Sequence, residues 1–240
     1  MKRLKLVACL LLVPLLLGAC APRTAASVQI PITARPIIPN AITVAAQANL
    51  QGRRLATLII YPGARVRAEA YRWLGEALSP FGIQTVIVRF PLDLALLSPN
   101  RADDVLAGLP VGEQVYLAGH SLGGVSAARY ARDHANPNQQ KRITGLILMG
   151  SYPADDVSLR DSPVKVLDLL AELDGLSTPA KVEAGLSRLP ASTRLVRLPG
   201  AVHAYFGRYG PQKGDGTPTA SREATEALIV QSVRAFMLGE

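Results

Sequence analysis

The segment 119–124, GHSLGG, places Ser121 between glycines at the spacing Gly-x-Ser-x-Gly. This spacing is typical of a sharp turn from a strand into a helix, which lifts the serine hydroxyl above the sheet as a nucleophile. Glycine is needed two residues away on either side because larger side chains would collide where the chain reverses. The apolar run before the turn and the amphipathic stretch after it favour this interpretation over a glycine-rich turn without chemistry. The pattern predicts that Ser121 attacks an acyl carbon.

A serine nucleophile needs a base, and the candidate is His203. The chain has three histidines. His120 belongs to the turn itself, and His134 falls near the end of the helix that follows. His203 lies in a loop after a predicted strand and is C-terminal to Ser121, as the chain order serine, acid, histidine requires. We expect it to accept the Ser121 proton and return it to the leaving group.

The acid that orients this histidine should lie between the two, directly after a strand. Asp174 precedes Gly175 in the segment 171–175, AELDG, and is the first choice. Its carboxylate would hold the imidazole in one tautomer and stabilise the imidazolium. Two carboxylates compete with it: Asp168 falls within the predicted strand, and Glu172 comes two residues earlier in the turn. The choice between Asp174 and Glu172 stays open at this stage.

Acyl transfer also needs two N–H donors directed at the tetrahedral oxyanion. One is expected from Leu122, the residue after the nucleophile. The other is expected from the loop after the strand 55–61. In that loop Pro62 has no N–H, so Ala64 is the better candidate and Gly63 the next. The alternative is a plain strand-ending turn.

Short apolar runs alternate with helix-like segments along the chain. The run 55–61 is continuous and β-branched, as a buried parallel strand should be. Each candidate residue follows such a strand directly. The alternation predicts an α/β fold, a doubly wound, mostly parallel sheet with helices on both faces and ligands at the carboxyl ends of the strands. The predicted strands are 55–61, 83–90, 114–118, 143–149, 164–169 and 194–198, and the predicted helices are 67–79, 100–109, 121–134, 178–186 and 221–237.

Composition narrows the class of protein. The 240 residues suit one domain, and 49% are hydrophobic, enough for a sizeable core. The net charge of +8 is scattered rather than clustered, which argues against a nucleic-acid surface. Metal-ligand clusters, phosphate loops and dinucleotide fingerprints do not occur, so neither a metal nor another cofactor is expected.

The N-terminus predicts export. Three cations in the first five residues precede an uncharged run that ends at Ala19, too short to span a bilayer, so residues 1–19 are interpreted as a signal peptide. The ending Leu-Gly-Ala-Cys resembles the lipobox of bacterial lipoproteins, which implies that Cys20 is acylated and anchors the protein on the periplasmic side of the cell envelope. Ala21 after that cysteine favours the outer membrane. Residues 20–40 then form a tether, although 28–33 are equally suited to an edge strand, and 41–240 form the domain.

Taken together, the chain resembles compact α/β-hydrolases of the dienelactone-hydrolase type. The resemblance implies the α/β-hydrolase fold and a triad of Ser121, Asp174 and His203. The short stretch between Gly150 and Pro163, where large lipase lids are usually inserted, leaves room for only a minimal lid. The sequence departs from true dienelactone hydrolases in carrying Ser where they carry a Cys nucleophile, so their substrate is not carried over. The segments that carry the resemblance are 61–64 (YPGA), 119–124, 174–175, 203–207 (HAYFG) and the loop 209–216 (YGPQKGDG).

The resemblance favours a carboxylic-ester hydrolase acting on a small-molecule ester. Two alternatives remain: the same triad cleaving an amide, peptide or thioester, and a non-catalytic envelope lipoprotein that uses the fold for binding. The serine, the histidine and the glycines of the turn are all present, and this favours catalysis over binding.

Overall fold

The computed structural model describes residues 40–47, 54–134 and 143–240. The predicted signal peptide, Cys20 and the tether up to residue 39, including 28–33, lie outside the described residues. Within the described ranges, every helix is too short or too polar to span a bilayer.

Seven strands form a single sheet in the order β1-β3-β2-β4-β5-β6-β7. β1 is antiparallel to β3, and all other neighbours are parallel. This arrangement confirms the predicted mostly parallel sheet. The strands are β1 Ala41–Val44, β2 Ala56–Tyr61, β3 Ile83–Val88, β4 Gln114–His120, β5 Gly145–Met149, β6 Lys165–Ala171 and β7 Arg194–Leu198.

Helices cover both faces because the central strands are apolar on both sides. In β2, Leu58 and Ile60 belong to a core beneath α1 and α5, whereas Ile59 and Tyr61 belong to a core beneath α2 and α3. This alternation is the pleat of a fully buried strand. The helices are α1 Arg72–Leu78, α2 Ala102–Ala107, α3 Leu122–Asp133, α4 Pro179–Gly185 and α5 Arg222–Leu238.

The elements differ from the predicted ones mainly at their ends. The first helix is shorter than predicted, because a 3-10 turn, Ala68–Tyr71, precedes α1. β4 runs two residues further than predicted, to His120, and β6 to Ala171, which brings their carboxyl ends closer to the candidate residues. β1 was not predicted as a strand, because four residues are too few to show a period.

Candidate active site

The structure places Ser121 on a strained turn between β4 and α3. Its backbone is left-handed, with φ 52° and ψ −125°, a conformation that a non-glycine residue keeps only where its surroundings enforce it. Two hydrogen bonds do so: the Ser121 N–H donates to the Met149 carbonyl at 3.1 Å, and the Ser151 hydroxyl donates to the Ser121 carbonyl at 2.7 Å. Ser121 is half-buried. The turn therefore holds the serine at the carboxyl edge of the sheet.

The glycines around this turn are sterically required. A Cβ atom on Gly119 would collide with the backbone of Gly123 and Gly124, and one on Gly123 would collide with the carbonyl oxygens of Tyr61 and Pro62. The second collision shows that the start of α3 packs directly against the loop after β2. The nucleophile turn and the candidate oxyanion loop are thus in contact.

His203 and Asp174 form a buried pair. Nδ1 of His203 lies 2.7 Å from Oδ2 of Asp174, and neither side chain is exposed. Oδ1 of Asp174 accepts the N–H groups of Leu176 at 2.8 Å and Ser177 at 2.7 Å. Because a carboxylate only accepts hydrogen bonds, Nδ1 of His203 carries the proton in this pair, and Nε2 of the neutral ring presents its lone pair.

The His203 ring lies beside the nucleophile turn. Its centroid is 4.5 Å from that of His120, the residue immediately before Ser121. Nε2 of His203 is buried and has no hydrogen-bond partner among the described residues. The structure thus brings His203, after β7, into contact with Asp174, after β6, and places the His203 ring next to the turn after β4 that carries Ser121.

The two competing carboxylates have other surroundings. Oε2 of Glu172 accepts the Gly200 N–H at 2.8 Å and stabilises the turn after β7. Asp168 lies within β6, as predicted, and is fully buried with no hydrogen-bond partner for either oxygen in the described part of the chain. Burial raises the pKa of Asp168 well above its usual range, because the interior disfavours the charged form. Of the three carboxylates, only Asp174 contacts His203.

The candidate oxyanion loop is fixed by Tyr71. The Gly63 N–H donates to the Tyr71 hydroxyl at 2.9 Å, and that hydroxyl lies 2.7 Å from Nδ1 of His120. The hydroxyl thus accepts from Gly63 and is hydrogen-bonded to His120. Gly63, the second candidate donor, therefore has its amide engaged, whereas the Ala64 amide makes no such bond within the described ranges. Leu122 is the first residue of α3, where the N–H has no intrahelical acceptor.

Burial sets the protonation of this Tyr71–His120 pair. It raises the pKa of the Tyr71 hydroxyl well above its usual range, which keeps it a donor. Burial, together with the neighbouring His203, holds the pKa of His120 well below its usual range, so this ring stays neutral. A neutral His120 adds no positive charge next to His203. The sequence analysis gave Tyr71 no role of its own, since it falls within the predicted helix 67–79.

Asp215 connects the acid turn to the histidine loop. Its Oδ1 accepts the N–H of His203 at 3.0 Å, of Gly216 at 2.8 Å and of Gly175 at 3.3 Å, and its Oδ2 accepts the Ala204 N–H at 2.9 Å. Gly175 adjoins Asp174, so this one carboxylate holds both members of the buried pair through their backbones. The sequence singled out the loop 209–216 by resemblance alone and did not assign a role to Asp215.

No group of histidine, cysteine and acidic side chains suited to a metal ion occurs in the described ranges. Cys20, the predicted lipidation residue, lies outside them.

The fold and the serine turn define the class of this protein. Residues 57–227 match the alpha/beta hydrolase family, and because they make up well over half of the chain, the protein belongs to this family. A curated relative, named phospholipase YtpA of Bacillus subtilis (strain 168), is 30% identical over 151 residues, covering 56% of this chain and 54% of the relative. The chain thus spans about half the length of that relative.

Proposed function

We propose that this hydrolase cleaves carboxylic esters through an acyl-enzyme on Ser121, with His203 as the base and Asp174 as the acid. The main support for this proposal is the 2.7 Å contact between Nδ1 of His203 and the Asp174 carboxylate, which is fully buried beside the serine turn. That contact leaves Nε2 as the basic nitrogen. A buried nitrogen without a partner destabilises the fold, so a role for Nε2 of His203 in proton transfer gives a reason for this arrangement.

The proposed reaction has two halves. Nε2 of His203 takes the Ser121 proton as Oγ forms a bond to the ester carbonyl carbon, and the N–H groups of Leu122 and Ala64 stabilise the oxyanion. The imidazolium then protonates the alkoxide, which leaves as the alcohol. Water attacks the acyl-enzyme in the same way and releases the carboxylic acid, with the proton returned to Ser121 Oγ.

One observation favours an ester over other acyl substrates: the relative's printed name is phospholipase, and phospholipases hydrolyse ester bonds in lipids. A second observation concerns access to the site. Only a short connection separates Met149 at the end of β5 from Lys165 at the start of β6, where lipases commonly carry a large lid. We therefore propose an open site for esters of small or medium acyl chains, including those of lipids.

A fluorophosphonate probe tests this proposal, because it phosphonylates only an activated serine. We expect the full chain to be labelled at Ser121 and to hydrolyse p-nitrophenyl esters, and Ser121→Ala to lose both. Ser126→Ala is the matched control, since it removes only a hydroxyl bonded to the Leu122 carbonyl at 3.3 Å within α3. A folded protein that reacts with neither reagent, or that is labelled at another serine, would overturn the proposal.

We also propose that the protein is a lipoprotein of the cell envelope, acylated at Cys20. The support is the lipobox-like sequence 17–20 after an apolar leader. In cells given an alkyne fatty acid, the wild type should acquire the label and Cys20→Ala should not. Cys9→Ala is the control, because Cys9 is the other cysteine of the chain and lies within the leader. Labelling that persists in Cys20→Ala would contradict this proposal.

A further inference from the structure

Exposed leucines are concentrated in one segment beside the candidate active site. Among the described residues, six large hydrophobic side chains are more than about a third exposed, and three of them lie within residues 92–97. Leu92 is 80% exposed, Leu96 48% and Leu97 54%. We call these three residues the leucine ridge. Single exposed leucines are ordinary, but several together on one short segment indicate an apolar contact surface.

The leucine ridge is rigid rather than a loosely held loop. Leu92 and Asp93 both adopt left-handed backbone conformations, with φ 55° and 54°. Hydrogen bonds hold them there: the Asp93 N–H donates to the Phe90 carbonyl and the Leu94 N–H to the Pro91 carbonyl, each at 3.1 Å. A left-handed backbone is strained at a residue with a branched side chain, and exposure of an apolar side chain to water is also unfavourable. Backbone strain of this kind points to a function.

The ridge is tied to the proposed oxyanion loop. The Arg65 N–H donates to the Asp93 carbonyl at 2.9 Å, and Arg65 directly follows Ala64. Ala95 is buried, and the short helix Ala95–Leu97 packs against α3, the helix that starts after Ser121. The ridge follows β3 at the carboxyl edge of the sheet, so it lies on the same side of the molecule as the candidate site.

Two exposed arginines adjoin the ridge: Arg65, whose N–H donates to the Asp93 carbonyl, and Arg89, three residues before Leu92. Arg89 is paired with Glu69 at 2.7 Å, and Glu69 also lies 3.7 Å from the exposed Arg67. Arg65 forms no ion pair within the described part of the chain. Apolar side chains flanked by arginines match the acyl region and the anionic headgroups of a phospholipid bilayer.

We propose that the leucine ridge and Arg65 dock the enzyme onto an anionic phospholipid surface, with the ridge inserted among the acyl chains and the site facing the bilayer. This proposal deepens the proposed function, on which it rests for the statement that the site then meets esters of lipids. Docking itself requires no catalysis, so the two ideas are separable by experiment.

A site-specific probe provides the test. Both native cysteines of the full chain are first replaced, by Cys9→Ser and Cys20→Ser, and Leu96→Cys introduces a single new one. This cysteine is labelled with an environment-sensitive fluorophore, and the labelled protein is mixed with phosphatidylglycerol–phosphatidylcholine vesicles. Val111→Cys is the matched control: Val111 is 57% exposed but precedes β4, at the opposite edge of the sheet. The probe at position 96 should brighten and shift to the blue, and the probe at position 111 should not. An equal response at both positions, or none at 96, overturns the proposal.

Turnover supplies the second readout. Replacing all three ridge leucines by serine should lower hydrolysis of an ester embedded in the vesicles by about tenfold or more, since a buried leucine contributes about tenfold to partitioning. Turnover of a soluble p-nitrophenyl ester should not change. If the triple variant keeps both activities, the result contradicts docking and leaves the proposed function intact. Insertion of the probe at position 96 without labelling of Ser121 by fluorophosphonate would instead retain docking and reject the proposed function.

Discussion

Nδ1 of His203 donates to a carboxylate oxygen of Asp174 across 2.7 Å, although 29 residues separate them in the chain. Both side chains are shielded from solvent, and the second Asp174 oxygen is occupied by the N–H groups of Leu176 and Ser177. Three hydrogen bonds therefore hold the Asp174 carboxyl group in place. The pair fixes which nitrogen of His203 faces away from the acid, and that nitrogen is the one a serine nucleophile requires.

Replacing Asp174 by asparagine should lower kcat for ester hydrolysis by about 10³–10⁴-fold, because an amide at this position no longer enforces the Nδ1-protonated tautomer. Steady-state kinetics with a p-nitrophenyl ester provides the measurement. Glu172→Gln is the control, since a glutamine oxygen still accepts the Gly200 N–H, and its kcat should stay close to the wild type. The reverse ranking of the two variants would assign the acid to Glu172.

Tyr71→Phe should lower both stability and turnover. The change leaves the Gly63 N–H and Nδ1 of His120 unpaired in a buried position, which costs about 1–3 kcal/mol for each group. It also releases the loop that carries the Ala64 amide, so kcat should fall while KM changes little. Tyr116→Phe is the matched control: Tyr116 lies near the amino end of β4, and its hydroxyl donates to the Met237 carbonyl at 2.9 Å, near the end of α5. It should destabilise the fold and leave kcat unchanged. Thermal unfolding and kinetics together distinguish the two variants.

Asp215→Asn should lower kcat by about 10²-fold, the scale expected when catalytic groups are misplaced by about 1 Å. The amide replaces one acceptor oxygen with a donor, so at least one of the N–H groups of His203, Ala204, Gly175 and Gly216 loses its partner. The downfield proton resonance of the His203–Asp174 bond should weaken or shift in parallel. Asp161→Asn is the control, because Asp161 is exposed and makes no ion pair or hydrogen bond in the described ranges. Unchanged kinetics with an unchanged resonance would show that Asp215 does not position the pair.

Local pattern was enough to predict most of the sheet and to single out three candidate site residues. Runs of buried, β-branched residues predicted six of the seven strands, because strands covered on both faces are continuously apolar. Ser121 followed from the glycine spacing, whose steric basis is local. His203 and Asp174 followed from their order after strands in a fold of known winding. β1 was missed because its four residues show too little pattern and its pairing with β3 is non-local.

The supporting contacts were not predictable in the same way. Tyr71 and His120 are 49 residues apart, Tyr71 also suits an apolar core position, and His120 was assigned only to the nucleophile turn. Asp215 binds backbone N–H groups, which nearly every residue has. The residue types of its partners therefore do not predict these contacts. Such contacts depend on the three-dimensional approach of loops from different strands, and only the folded arrangement of those loops specifies them.

Asp168→Val should stabilise the protein, and the gain should grow with pH. Asp168 is fully buried in β6 without a hydrogen-bond partner among the described residues, and removing such a group gains about 1–3 kcal/mol in the free energy of unfolding. Its pKa is raised in the native state, so the unfolded chain loses this proton first as the pH rises above about 4. The native state then binds more protons than the unfolded state, and the wild type loses stability with rising pH through this group. Thermal unfolding of both proteins at pH 4 and pH 7 measures the effect. A stability difference that is equal at the two pH values, or that favours the wild type at pH 7, would contradict a neutral, unpaired Asp168.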